Sequence, residues 1–357
     1  MEPKREYGLD VLKAAAAALI VLDHFQLCIG ADYRFPFYPG YGDFDFGYVV
    51  ELFFLLSGLF IARYVQRIRD GLSFREFFLR RYLRLFPLMA LSSACWSALF
   101  LLLGLHRLDA AWARQTPSLW SLLVTSLGVQ AGWGFSNSFI NQPLWYLSVL
   151  IFCYLLFYVL VRVSKRLGVS PYYLFGGMIF VGAGIRSYDI ELPFLNNTMS
   201  LGYCSFFAGV LLEALLRRRK PGKPVLFACA LLVAGITALM CTDRFTLIGD
   251  IKHVLTFLYF PAIIVLFRSE AAARLFRSPV FGLLGRASFN VYVWHMSGIL
   301  IVTAMNVRGL VHVAAHPMTV MYLFAVCCFL FGFFSYYCIE KPFARLTDKL
   351  LQRLLQK

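Results

Sequence analysis

Apolar runs of 18 or more residues recur from one end of this 357-residue chain to the other. A helix of that length crosses the ~30 Å hydrocarbon layer of a bilayer, so the pattern is that of membrane-spanning helices. Composition agrees, with 60% of residues hydrophobic, 17% aromatic and only 15% charged. Soluble domains average about 45–50% apolar and about 25% charged residues. A soluble enzyme, a disordered protein and a disulfide scaffold are thereby excluded. The chain reads as an all-α integral membrane protein.

The net charge of +15 comes without a basic helix-turn-helix, finger or aromatic platform, so nucleic acid is not an expected partner. The basic residues cluster between apolar segments instead, as the positive-inside rule requires. The nine cysteines lie almost entirely in apolar stretches without Cys-x-x-Cys spacing. They read as small buried hydrophobes rather than disulfides or metal ligands, and no metal is expected. The first apolar stretch lacks a small-x-small cleavage site before a polar mature domain, so it is expected to be retained as a helix.

Apolar segments fall near 11–29, 48–66, 86–105, 119–132, 144–161, 171–186, 199–216, 224–241, 251–267, 280–302 and 318–338. Charges decide how many of these cross. With the N-terminus cytoplasmic, the seven arginines from Arg63 to Arg84 lie inside. If 119–132 also crossed, Arg162–Arg166 and Arg217–Lys223 would both fall outside. Treating 119–132 as re-entrant or interfacial leaves 25 of the 34 Lys and Arg residues inside. Trp120, Gly128, Gly132 and Trp133 suit such a segment, because tryptophan prefers the headgroup level. The expected architecture is about ten transmembrane helices, one re-entrant segment (119–132) and both termini cytoplasmic. Residues 1–342 form a single transmembrane domain, and 343–357 a cytoplasmic basic amphipathic tail.

Ionisable residues inside spans are costly and mark functional positions by default. The first helix carries Asp10, Lys13, Asp23 and His24. Lys13 and His24 are eleven positions apart, which puts them about 20° apart on one face and roughly 16 Å apart along the axis. That face offers a cation near the cytoplasmic surface and an imidazole at or beyond mid-membrane. The plainer alternative is a snorkelling lysine and a histidine in a helix contact. Asp10, three residues before Lys13, can pair with it on the same face. Further on, Arg80, Arg81 and Arg84 form a dense cation cluster that ends in a Leu-Phe-Pro turn at Pro87. Guanidinium forks bind phosphates bidentately, although such a cluster also serves as an anchor on anionic lipid.

Six motifs in order then carry a resemblance that runs from residue 7 to residue 342. They are Asp10-Val-Leu-Lys13 followed after ten residues by His24, Phe53-Phe54-Leu55-Leu56-Ser57-Gly58, and Arg80-Arg81-Tyr82-Leu83-Arg84-Leu85-Phe86-Pro87. Leu144-Trp145-Tyr146-Leu147-Ser148, the Gly285 to His295 stretch with Ser288 and Tyr292, and Glu340-Lys341-Pro342 complete the set. Together they resemble the integral-membrane acyltransferase family 3, which O-acylates sugars of bacterial surface glycans. One departure stands out: the position usually held by arginine is Lys13, which keeps the charge and loses the planar fork.

The resemblance implies an O-acyltransferase of the bacterial plasma membrane that takes an acyl group, by expectation acetyl, from cytoplasmic acyl-CoA. No permanently bound cofactor is implied; acetyl-CoA is a co-substrate. The acceptor is a sugar hydroxyl of a surface or lipid-linked glycan, and membrane lipids are the surroundings. His24 is the implied catalytic base, or is itself transiently acylated. Lys13, Arg80, Arg81 and Arg84 are the implied acyl-CoA-binding cations, with Asp10, Ser57 and Glu340 in support. Trp145, Tyr146 and His295 are acceptor-side candidates, though the aromatic belt and a satisfied structural histidine explain them nearly as well. The alternative from another class is a transporter or flippase for a lipid-linked or small anionic substrate. No inverted repeat is visible, and dependence on acyl-CoA separates the two.

Overall fold

The computed structural model describes residues 6–29, 46–108, 115–132, 140–242 and 251–355. Trp133, one of the residues that suit 119–132 as an interfacial segment, lies outside the described residues. Among the described residues the regular structure is helical, with no strand. The helices are α1 (Tyr7–Ile29), α2 (Val49–Ile61), α3 (Tyr64–Arg69), α4 (Phe74–Leu102), α5 (Leu119–Leu127), α6 (Trp145–Arg166) and α7 (Pro171–Tyr188). They continue with α8 (Asn197–Arg218), α9 (Lys223–Cys241), α10 (Ile251–Phe267), α11 (Glu270–Leu275), α12 (Pro279–Val307), α13 (Pro317–Ser335) and α14 (Lys341–Leu355).

Seven of the described helical segments are long and apolar enough to cross a membrane: α1, α4, α6, α8, α9, α12 and Pro317–Lys349. The charge pattern led to ten. The three others are physically distinct. α2 and α10 are apolar but shorter, and α7 is diluted by its glycines, tyrosines and Arg186. The segment at 119–132 folds as a nine-residue helix, α5. Nine residues rise only ~14 Å, about half the hydrocarbon thickness. Ser118 and Ser121 close its first turn as a capping box, and Gly128 ends it at φ 67°.

One expectation changes. The Leu-Phe-Pro turn after Arg84 is absent, because α4 runs unbroken through Pro87. A proline removes one helical donor, a loss membrane helices tolerate where neighbouring helices, hydroxyl side chains or local adjustment of the turn satisfy the freed carbonyl. The C-terminal tail, expected from 343, is the greater part of α14, with Leu351 buried. It continues α13 through a π turn at Tyr336–Glu340.

Close packing depends on small residues, as membrane helices require. A Cβ on Gly58 of α2 would fall on the Phe206 carbonyl of α8, and one on Gly209 of α8 would fall on the Leu55 carbonyl of α2. The two helices therefore touch backbone to backbone. Gly285 does the same for α12, where a Cβ would collide with Asp10 of α1. α12 is central, with sixteen residues buried from Gly282 to Ala304. α9 is peripheral, with only Ile236 and Met240 buried.

Contacts between helix ends gather the basic residues on one face. Arg268 after α10 bridges Glu6 before α1 and Glu213 of α8, and Arg217 also pairs with Glu213 at 2.7 Å. Lys165 of α6 donates to the Arg69 carbonyl at the end of α3. At the opposite face Arg308, beyond α12, donates to the Leu103 carbonyl beyond α4.

Candidate active site

The close approach of α1 and α12 at Gly285 opens onto a cavity of about 590 Å³ at the basic face. Lys13, Arg80, Arg84, Ser57, Tyr146 and Glu340 all line it. Lys13 Nζ lies 2.7 Å from Asp10 Oδ1. The Arg84 guanidinium, 67% exposed, stands 3.8 Å from Glu340. Arg80 reaches back to Glu76 at 3.3 Å. The two arginine contacts are loose and the guanidiniums largely exposed, so those cations remain able to meet an anion that enters, whereas Lys13 is held closely by buried Asp10. Arg286 of α12 and Lys341 of α14 add two more to the wall.

Deeper in, the wall becomes aromatic and hydroxylated. Tyr146 Oη lies 3.0 Å from Ser57 Oγ and donates to the Phe53 carbonyl at 3.3 Å. Tyr292, which also faces the cavity, donates to the Pro143 carbonyl at 2.6 Å and so fixes the start of α6. Glu340 accepts from Asn290 Nδ2 at 2.5 Å. Asn290 Oδ1 in turn accepts from Ser335 Oγ, and Ser335 accepts from Trp294 Nε1 at 2.8 Å. A chain of buried hydrogen bonds thus runs from the cavity wall to the residue beside His295.

One turn beyond Tyr292, two histidines meet. His295 Nε2 is 3.2 Å from His24 Nδ1, and the ring centroids are 5.0 Å apart. His295 Nδ1 lies 2.7 Å from the Tyr292 carbonyl, and His24 Nδ1 lies 3.0 Å from the Ile20 carbonyl. A carbonyl oxygen can only accept, so the neutral His295 carries its proton on Nδ1, leaving Nε2 as an acceptor. His24 then carries its proton on Nδ1, shared between Ile20 O and His295 Nε2. The lone pair of His24 is left on Nε2. Buried His295, 1% exposed, sets the tautomer of half-buried His24.

The remaining candidates go elsewhere. Arg81 turns from the cavity and stacks 4.2 Å over Tyr64, with its Nε buried and unpartnered. Trp145 faces a separate space of about 420 Å³ with Tyr48, Arg186, Asn197 and Lys252. Tyr146, grouped with Trp145 in the sequence, instead shares the cavity with Lys13 and Arg84. His295 joins His24.

Sequence reasoning gave no role to Glu51 or Arg186. The Arg186 guanidinium meets Glu51 at 2.6 Å, with the two side chains 5% and 0% exposed. Ser205 donates to the same carboxylate at 3.0 Å, and Thr256, carried on the π turn Leu255–Tyr259, also donates to it. The only signal in the sequence was one ionisable residue on each of two apolar helices. Arg286 and Lys341 were similarly legible only as neighbours of Gly285 and Glu340.

The region thus combines a cation-lined cavity, a wall of hydroxyls and aromatic rings, and a histidine pair one helical turn beyond Tyr292. The acyltransferase family 3 model, described as an acyltransferase domain, matches residues 6–341. The chain belongs to that family. No curated protein and no solved structure matches it at a significant level.

Proposed function

We propose that this acyltransferase moves an acyl group, acetyl being the simplest case, from acyl-CoA to a sugar hydroxyl of a surface or lipid-linked glycan. The observation that carries the reading is the His24–His295 pair one helical turn beyond a cation-lined cavity. In this reading the cavity faces the cytoplasm, both termini are cytoplasmic, ten helices cross a bacterial plasma membrane, and 119–132 is the re-entrant segment.

Arg80, Arg84, Lys13, Arg286 and Lys341 neutralise the phosphates of the donor. Arg81, stacked on Tyr64, contributes to the field of the entrance rather than to direct contact. The slender thiol arm runs past Ser57 and Tyr146. His24 Nε2 accepts the proton of the sugar hydroxyl while Nδ1–H stays bonded to His295. The sugar oxygen attacks the thioester carbonyl carbon. A C–O bond forms, the C–S bond breaks, and the leaving thiolate takes the proton from His24. His295 is a positioning residue: it touches His24 and neither substrate. Trp145 serves the acceptor side, where its ring can stack on a sugar.

The test is the O-acyl content of surface glycan, read by proton NMR in cells lacking the chain and complemented with wild type or His24→Ala. Wild type restores the acyl signals and His24→Ala does not, a loss of at least ~10²–10⁴-fold for removal of a general base. Restoration by the alanine variant overturns the assignment of His24.

A further inference from the structure

The cation-lined cavity has a second lobe. A space of about 370 Å³ adjoins it at the basic face and shares Asp10, Lys13 and Phe60 with its wall. Lys13 Nζ stands 5.5 Å over the Phe60 ring at this junction. Beyond the junction Arg63, Arg217, Arg268, Glu6 and Glu213 line the lobe. Arg63 follows the end of α2, Arg217 lies in the last turn of α8, and Arg268 caps α10. Three helix C-termini thus converge there, and the partial negative charge of their carbonyls favours the three cations.

Not all of that charge is available. Arg268 is spent on Glu6 and Glu213, and Lys13 on Asp10. Arg217 pairs with Glu213 through Nε, which leaves the two terminal nitrogens of a 58% exposed side chain for another acceptor. Arg63 is exposed, lies 5.4 Å over the Tyr64 ring, and has no carboxylate partner among the described residues. With the shared Lys13–Asp10 pair left out, four cations and two carboxylates wall the first cavity, and three cations and two carboxylates the lobe. The larger surplus suits a diphosphate, the smaller a single phosphate.

We infer that the lobe holds the phosphate monoester on the donor's ribose, read by Arg63 and Arg217, so that the enzyme selects CoA over a donor that lacks this phosphate. The inference rests on the acyl-CoA reading above. CoA carries its diphosphate and its monoester on one ribose, so their two sites must adjoin, as the cavity and the lobe do. The thiol arm leaves the diphosphate on the other side, toward Ser57 and Tyr146. The bend between the two sites falls at Lys13. A phosphate monoester presents three acceptor oxygens and up to two charges, which two guanidinium forks can share. The Phe60 ring, 40% exposed, offers the purine an apolar face at the same junction. The terminal phosphate of an anionic lipid has the same chemistry, without a diphosphate to fill the neighbouring cavity.

The experiment measures binding of CoA and of dephospho-CoA, which lacks only the ribose phosphate, to the purified full chain in phosphatidylcholine nanodiscs. CoA should bind at least about tenfold more tightly, the scale of one charge-assisted hydrogen bond. Arg63→Ala should remove most of that preference by weakening CoA while leaving dephospho-CoA unchanged. Arg217→Ala should act in the same direction and less strongly, because Glu213 already holds its Nε. Misfolded protein lowers the number of sites and not the ratio of the two affinities, so the ratio reads the lobe. Equal affinities in wild type, or variants that weaken both ligands alike, overturn the inference while the acyl-CoA reading stands. Equal affinities together with phosphatidic acid bound by wild type and not by Arg63→Ala give the lobe to a lipid phosphate and overturn it as well. Binding of neither form removes the acyl-CoA reading, and this inference with it.

Discussion

Glu51 and Glu340 are both buried carboxylates facing an arginine, and a π turn serves each: Thr256 donates to Glu51 from one, and Glu340 ends the other. Their partners differ. Arg186 is 5% exposed and lies 2.6 Å from Glu51, with Ser205 filling another position on the carboxylate. Arg84 is 67% exposed and stands 3.8 Å from Glu340 across an open cavity. The first pair is closed, with its charges spent on each other. The second leaves an arginine that another anion can take. Charge inside a membrane protein is therefore no guide to function until the exposure of the cation is known.

The largest way to break this contrast is Arg186→Ala. Removing one member of a buried pair strands the other and costs about 3–5 kcal/mol. Thermal unfolding in detergent should show a sharply lowered midpoint, while the fraction that remains folded keeps its KM for acyl-CoA. A midpoint within experimental error of wild type would mean that Glu51 finds other partners.

His295→Ala should behave in the opposite manner. Activity falls about 10²-fold in kcat, with little change in KM or in the unfolding midpoint. His295→Gln, whose carbonyl can still accept from His24 Nδ1, should recover part of that loss. Equal loss in both variants would make His295 a packing residue. Arg84→Ala comes next, with KM for acyl-CoA raised about tenfold, equivalent to ~1.4 kcal/mol, and stability little changed, because the mostly exposed guanidinium at 3.8 Å contributes little and buried Glu340 keeps its bond from Asn290. An unchanged KM would return Arg84 to the role of a surface anchor. The smallest effect is expected of Lys13→Arg. The charge beside Asp10 is kept, so steady-state rates should stay within about threefold; complete loss would mean the wall is shaped around an ammonium.

Much of this was legible beforehand. Apolar periodicity located the long helices, and charge placed 119–132 outside the spanning set; α5 is indeed too short to cross. Local spacing also anticipated the Asp10–Lys13 contact, three residues apart on one helix. Features that depend on chain-distant meetings were not readable. His24 and His295 are separated by 271 residues, and nothing in either helix alone announces the other. Arg81 differs from Arg80 and Arg84 only in which face of α4 it occupies, and Tyr64 claims it. The π turns change the register of their helices by a single residue, a shift that hydropathy does not register. Gly285 opens a motif in the sequence, but nothing there reveals that Asp10 takes the space of its missing side chain.

The shortness of α2 has a further consequence. Its thirteen residues rise ~20 Å, against ~30 Å for the hydrocarbon layer. Phe53, Leu56, Ser57 and Phe60 of this helix form one side of the cation-lined cavity. Where a spanning helix is short, the bilayer thins or its polar boundary sinks to meet it. Under the proposed ten-helix topology, with α2 as a span, the insulating layer is thinned beside the cavity, and the transmembrane voltage falls across fewer ångströms there than along α4. In that topology a charged group carried down this wall would meet a steeper electric field than one beside α4.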